Sequence, residues 1–585
     1  MKKTIKYFIS AVTAAMALVS CDFLDQEPKI ISGETYYNTE QEVQYGLAGI
    51  YGVMASEDVY GNNYSVMLCQ NDDLSYFNRS TTSNYTQLYS HDASATEIYE
   101  AWTQLYRGIK NANAFMNAMQ TSEFDEDHAY YNEARFLRAY YHFLLAQGWG
   151  DVPLRDYEVN SHSLVMSAAS PQYDVLKWAA DEMEACYELA SDDVSLTPER
   201  VTKTVIDGIL ARVYLFMAGE SVECSADLKH EFYKLAMDHA KAVIDSRKHE
   251  LNPDYTQVFI NMISDQYDTQ YHESMWEVGF LGDRSTPDKW SNGRIGDVLG
   301  LQSTVNSNYE TAVCNYSYGQ YNGSLGLWDL YWRTDRTDDE NEMTDDQITG
   351  WDIRQDWNLP PYNYRGSTGM SPYGNPPADP AKDNGSCTGG VDKTPYRESK
   401  GGVRVRSDED PTVGAGIRCC GKWRRIAEWE GHMTNKSLYN TINFPILRYS
   451  DVLLMYAEAY NEYNGAPTEE VFNYVKSVRD RAGIQTRPYS EYSGQEDFRQ
   501  LVRNERGREL CFEGIRKFDL IRWGIFVESV RQYLTWADDS RFSQAGTPTS
   551  AARTIGSNVA ERHVYFPIPA VELGVNKQLS QNPLW

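Results

Sequence analysis

Tyr449 to Ala482 reads YSDVLLMYAEAYNEYNGAPTEEVFNYVKSVRDRA, a span of 34 residues, which is the period of a tetratricopeptide hairpin. Tyr456, Ala457 and Tyr460 line one face of a first helix, and Val471, Val475 and Val478 line a second at i, i+4, i+7. Working outward, the same spacing recurs. Lys203 to Ile244 predicts a second pair, with Ile206, Ile209, Leu210 and Val213 on one helix, a stop at Gly219, and Tyr233, Ala236, Ala240 and Val243 on its partner. Tyr131 to Gly148 sets Phe136, Tyr140, Phe143 and Leu144 on one face, and Gln172 to Leu189 and Ala95 to Met119 read as further helices. The fold class that follows is mainly α: tetratricopeptide-like helical hairpins forming an incomplete solenoid scaffold, with long loop-rich insertions and little β.

The chain has 585 residues, and 54 Lys+Arg against 83 Asp+Glu leave a net charge of −29. That balance argues against nucleic acid, because binding to phosphates is driven by counterion release at a basic surface. Hydrophobic residues at 42% and charged residues at 23% place the chain among folded proteins. Aromatics are in excess, with 43 Tyr among them. A side chain with an apolar body and a polar tip suits half-wet surfaces, so this excess predicts binding grooves or interfaces.

Residues 1–20 read as a lipoprotein signal peptide. Lys2, Lys3 and Lys6 precede an apolar stretch from Tyr7 to Val19, about 20 Å as a helix and too short for a hydrocarbon layer of ~30 Å. Leu18-Val19-Ser20-Cys21 resembles a bacterial lipobox, which implies lipidation at Cys21. Asp22, Asp25 and Glu27 then resemble the surface-export signal of Bacteroidetes lipoproteins.

Between Pro360 and Gly416, 18 of 57 residues are Gly or Pro, which predicts a loop-rich excursion. Tyr309 to Trp332 is dense in aromatics set among Asn, Ser and Gly without helical period, poor material for a core. Cys186, Cys224 and Cys511 read as buried thiols, whereas Cys387, Cys419 and Cys420 could pair in an oxidising exterior. The histidines lack metal-ligand spacing, and no nucleophile elbow, phosphate loop or C-x-x-C is present. The acidic run from Asp335 to Asp346 lacks the spacing of a calcium loop and reads as solvated surface. No enzyme activity, cofactor or metal is expected.

Four blocks carry a family resemblance. Glu133 to Tyr141 running to Trp149-Gly150-Asp151-Val152-Pro153-Leu154, Phe444 to Ala459, Glu505 to Gly514 with Phe518 to Trp523, and Phe566-Pro567-Ile568-Pro569 with Gln581-Asn582-Pro583 together resemble the SusD/RagB outer-membrane lipoproteins. The resemblance implies a surface-exposed outer-membrane lipoprotein, with residues 21–270 as the N-terminal helical region and 271–585 as the C-terminal region containing the excursion 360–416. It further implies capture of oligosaccharide and delivery to a SusC-like TonB-dependent transporter barrel, which the protein would cap as a lid. Import of oligopeptides on the same architecture is the alternative, and a surface glycoside hydrolase is a third reading. Arg448, Glu458, Glu505, Arg508, Glu509, Asp519 and Arg522 lie in or beside apolar helices, where a charge must be paired, so buried ion networks are expected of them.

Sugar recognition needs aromatic faces for C–H groups and planar donors and acceptors for hydroxyls. Two segments combine both. Asn71 to Tyr89 offers Asp72, Asp73, Tyr76, Asn78, Arg79, Asn84 and Tyr85, and Trp290 to Tyr321 offers Trp290, Tyr309, Tyr316, Tyr318 and Tyr321. In the family that the chain resembles, these two regions contribute ligand contacts. Trp102 and Tyr106, at helical spacing, are read as core.

Overall fold

Among the described residues the apolar spacing has its consequence in eighteen helices, and fifteen of them organise the protein. In chain order these are α1 Glu40–Tyr51, α2 Thr96–Met119, α3 Ala129–Trp149, α4 Gln172–Ala185, α5 Lys203–Met217, α6 Ala226–Ser246, α7 Tyr255–Ile263, α8 Leu325–Trp332, α9 Ile353–Asn358, α10 Tyr449–Asn464, α11 Glu469–Arg481, α12 Gln495–Leu510, α13 Arg516–Arg522, α14 Phe526–Arg531 and α15 Thr547–Asn558. The structure is a computed structural model that describes residues 36–79, 85–159, 166–195, 197–281, 291–303, 315–332, 352–360, 362–366, 391–395, 415–426, 428, 438–484, 486–492, 494–539 and 547–585. Cys21, Cys387 and the acidic run 335–346 lie outside them, as does most of the excursion. Among the described residues no helix is long and apolar enough to cross a membrane.

Neighbouring helices pack in series: α3 on α4, α4 on α5, α5 on α6, α6 on α10, and α10 on both α11 and α12. Three of these starts are capped by a side chain that takes an otherwise orphaned N–H. Thr202 accepts from Val205 at α5, Ser225 from Leu228 at α6 and Thr468 from Val471 at α11. Gly465 closes α10 at φ +75°, a left-handed turn open to glycine that sends the chain back as α11.

Strand content is small. The strands are β1 Ser75–Phe77, β2 Ser274–Val278, β3 Tyr321–Gly323, β4 Tyr362–Gly366, β5 Val391–Pro395 and β6 Phe444–Arg448, and they pair antiparallel as β1 with β3, β2 with β6 and β4 with β5. The β4–β5 ribbon is the described middle of the excursion. Residues 73–77 are stitched to two distant parts of the chain, by the β1–β3 pair and by the ion pair of Arg516 with Asp73 at 2.8 Å.

Tyrosine is used differently from the composition-based expectation. Tyr76, Tyr141 and Tyr331 are buried, and their hydroxyls donate to the carbonyls of Gly416, Ile50 and Arg508 at 2.6, 2.7 and 2.8 Å. A polar tip that finds a backbone acceptor is at home in a core, so much of the aromatic excess is packing. Tyr309 to Trp332 is corrected in the same way. Its second half folds as α8, where Leu325, Leu327, Trp328 and Tyr331 are buried. Trp102 is core as expected, and Tyr106 is half-buried with its hydroxyl on the Pro153 carbonyl at 2.8 Å. Cys419 is buried, Cys420, Cys186 and Cys511 are buried free thiols, and Cys224 is half-buried.

The charged residues singled out inside apolar helices form two networks. Arg448 at the end of β6 holds Glu273 and Glu509 at 2.9 Å and Glu513 at 2.8 Å. Arg354 holds Glu505 at 2.7 Å and Glu509 at 2.9 Å, and Arg508 joins Glu505 at 3.0 Å. In the second network Arg506 bridges Asp451 and Asp519, and Arg522 pairs with Asp519 and Glu458. The first ties α9 and α12 to β6, and the second ties α10, α12 and α13 to one another.

One buried carboxylate stands apart. Glu277 on β2 is 3% exposed, and its near neighbours include the carboxylates of Glu199 and Asp265. Burial first, then those two charges, push its pKa up to about 7, against the hydrogen bond from Asn443. The unfolded chain ionises Glu277 near the ordinary value of 4.5, so stability should fall as pH rises from about 4.5 to 7 and level off above. Glu277→Gln is therefore expected to gain up to ~3 kcal/mol at pH 8 and little at pH 4.5, read by urea unfolding at both values. An equal shift at the two pH values would refute this.

Candidate functional site

The pairing of β1 with β3 brings the two candidate segments together. Tyr76 lies opposite Asn322 and Phe77 opposite Tyr321. The ladder continues outward, with the Asn78 N–H on the Gln320 carbonyl at 2.8 Å and the Arg79 Nη2 on the Tyr318 carbonyl at 3.2 Å. On its other flank, 315–323 is joined by Ser303 opposite Ser317, by the Gly323 N–H on the Arg418 carbonyl at 2.9 Å, and by the Asn315 N–H on the Arg425 carbonyl at 2.9 Å. Residues 315–323 thus run as a central rung between three pieces of chain.

Extended backbone alternates its side chains, which sorts this rung. Ser317 points inward and donates to the Gly296 carbonyl at 2.8 Å. Tyr316 and Tyr318, on either side of it, face outward with ring centroids 5.1 Å apart and planes at 85°. Tyr318 is 38% exposed, and Arg79 beside it is exposed too. Burial, followed by the hydrogen bond with Tyr318, pushes the Tyr316 hydroxyl up to about 12, so that phenol stays neutral at physiological pH. Gly319 follows at φ +53°, and a Cβ there would sit 2.7 Å from the Cα of Gln302, so only glycine fits the bend that ends the pair.

The remaining candidates divide in two. Asp72, Tyr76, Asn78 and Tyr321 are buried, and they fasten the site. The Asp72 carboxylate accepts from the N–H groups of Leu74 and Ser75, the Asn78 amide bonds Gly319 and Asn322, and the Tyr321 hydroxyl donates to Val66. A ring with no exposed face cannot stack on a ligand, so Tyr76 and Tyr321, both 0% exposed, are corrected from contact to support. Asp73 is held in its ion pair with Arg516. Tyr85 is half-buried and stacks on Phe77 at 6.2 Å. Asn84, Trp290 and Tyr309 lie outside the described residues.

Beneath the tyrosine pair is a polar bed that sequence reasoning missed. Asp297 accepts from the Tyr318 N–H at 3.3 Å and pairs with Arg294 at 2.8 Å, and Arg425 donates to the Tyr316 carbonyl at 2.8 Å. Burial raises the Asp297 pKa and Arg294 opposes the shift. The one sequence signal was the charged cluster Arg424-Arg425-Glu428 at the end of the Gly/Pro-rich stretch. Chemically the described face offers two aromatic rings and a guanidinium.

Stacked helical hairpins carrying an aromatic face on a cross-chain strand define a scaffold-type binding protein. The SusD family profile matches residues 272–585, and a second, described as "Starch-binding associating with outer membrane", matches residues 22–215. The chain belongs to the SusD family. SusD-like protein P25 of Formosa agariphila is 23% identical, with 99% of this chain and 98% of that protein aligned. The starch-binding protein SusD of Bacteroides thetaiotaomicron is 27% identical over 162 residues, 28% of this chain and 25% of that one. Among solved structures, a SusD homolog from Bacteroides thetaiotaomicron superposes with a TM-score of 0.74 at 24% identity, covering 94% of this chain and 98% of that one. A laminarin-binding SusD-like protein gives 0.63 at 19% identity, covering 94% and 100%. At these identities the structural likenesses speak for the fold.

Proposed function

We propose that this protein is a non-catalytic, cell-surface glycan-binding lipoprotein, anchored to the outer membrane through Cys21, that captures oligosaccharides and passes them to a SusC-like TonB-dependent transporter as its lid. The observation that carries the reading is the convergence of Arg79, Tyr316 and Tyr318 on one exposed face from segments that the β1–β3 pair unites. The rings take the C–H face of a sugar, and the guanidinium donates to its hydroxyls. Tyr85 at the margin, with Asn84, Trp290 and Tyr309 from the adjoining segments, completes the proposed set of ligand contacts. Relatives named for starch and laminarin support a glycan over other ligands.

The net charge of −29 favours a second reading, import of cationic peptides. A glycan and peptide array with the chain starting at Asp22, at low and high salt, separates the two. Binding to one polysaccharide class that is insensitive to salt is the expected result, because stacking carries no net charge. Binding to basic peptides that weakens with salt would overturn it, and turnover of a bound glycan would restore the hydrolase reading.

A further inference from the structure

Segment 415–425, which leads out of the excursion 360–416, lies along the rung that carries the tyrosine pair, with Arg418, Cys419 and Arg425 meeting Gly323, Asn322 and Asn315 in turn. Arg425 is 2% exposed and takes no part in the ligand-facing surface. Its guanidinium nevertheless ends on that surface's backbone. Nη1 donates to the Tyr316 carbonyl at 2.8 Å, Nη2 to the Tyr439 carbonyl at 3.2 Å, and Nε and Nη2 grip Glu428 at 2.6 and 3.0 Å. Asn315, one residue before Tyr316, closes the ring of contacts: its N–H is on the Arg425 carbonyl and its amide is on Glu428 at 3.0 Å.

We propose that Arg425 is the positioning residue of the ligand-binding face, so that the segment just after the excursion sets glycan affinity without touching glycan. This rests on the glycan-binding reading of the Tyr316–Tyr318 face. Three consecutive residues of the rung are each fixed from beneath: Tyr316 by Arg425, Ser317 by the Gly296 carbonyl and Tyr318 by the Asp297 carboxylate. The three anchors form one body. A Cβ on Gly296 would lie 2.7 Å from the Cγ of Arg425, so the arginine stem packs directly on the short helix Ile295–Val298 that supplies Asp297. Two carbonyls and a carboxylate around one side chain call for a planar fork of donors. Lysine brings one point charge and cannot span them. A stacking platform must be held to about 0.5 Å, and a rung released at Tyr316 lets the paired rings turn relative to the ligand.

The test uses the chain from Asp22 and the polysaccharide that scores highest on the array, with calorimetric titration of wild type, Arg425→Lys, Tyr316→Ala and the double variant. Arg425→Lys is expected to weaken binding about tenfold, the scale of a misplaced contact group. In the Tyr316→Ala background the same substitution should change affinity less than twofold, since no ring remains there to position; a merely structural role would weaken both backgrounds alike. Glu428→Gln, which keeps the volume and loosens the grip on Arg425, is the second variant should Arg425→Lys fail to fold, and about a threefold loss is expected of it. Wild-type affinity in the folded Arg425 or Glu428 variant, or an equal loss in both backgrounds, overturns the inference while leaving the glycan face standing. Wild-type affinity in Tyr316→Ala takes down the face and the inference together.

Discussion

Replacing Glu509 by alanine is expected to destabilise the protein by about 3–5 kcal/mol, the largest effect foreseen for a single substitution outside the binding face. Glu509 is 0% exposed and receives Arg354 and Arg448 at 2.9 Å together with Arg481. Burial would raise its pKa, but Arg481, Arg448 and Arg354 hold it well below the usual carboxylate range. Removing it leaves three guanidinium groups short of a counter-charge away from water. Urea unfolding at pH 7 measures the cost, and Asp181→Ala, which breaks a pair with side chains 44% and 55% exposed, is the control expected to change little. The same chemistry fixes the acid limb of the wild type. Glu505 has its pKa pushed down to about 2, since Arg354, Arg479 and Arg508 outweigh its burial. Its contribution is present above the unfolded value near 4.5 and is lost as pH falls from there towards 2. A Glu509→Ala protein as stable as wild type would show that the network adds nothing to the fold.

The second large effect belongs to the binding face. Tyr316→Ala and Tyr318→Ala are each expected to weaken glycan binding by about 1–2 kcal/mol, roughly five- to thirtyfold, with little change in unfolding midpoint, because neither ring is part of the core. Tyr76→Phe should do the reverse. It removes a hydroxyl bonded to the Gly416 carbonyl at 2.6 Å in a fully buried position, so about 1 kcal/mol of stability is at stake and affinity should hold. Arg79→Ala tests the polar half of the face, and a loss confined to ligands with a free hydroxyl at the guanidinium is the expected pattern. If the two tyrosine variants bound as wild type and Tyr76→Phe did not, the face would have been assigned inside out.

The helical scaffold was legible because helix formation and its apolar face are local. Phe136, Tyr140, Phe143 and Leu144 mark α3 with no knowledge of what they pack against, and Val471, Val475 and Val478 mark α11 in the same way. The burial of Arg448, Glu505, Glu509 and Asp519 was legible for a related reason. A charge set in an apolar helix face has few places to go but a partner. The partner was another matter, since Arg354 comes from α9, a stretch with no apolar period to announce it.

The binding face was legible only as two aromatic and polar segments. Which of their tyrosines would face a ligand depended on a pairing between Tyr76 and Asn322, 246 residues apart, for which no local signal exists. Extended backbone alternates its side chains, but alternation says which residues share a side and not which side is buried. The sequence by itself therefore determined the hairpin scaffold, the charged residues that must be paired inside it and the regions from which a site could be built. The tertiary structure alone decided that Tyr76 and Tyr321 turn inward, that Arg79, Tyr316 and Tyr318 turn outward, and that Arg425 stands behind them, because the order of strands across a sheet is set by contacts between distant pieces of chain.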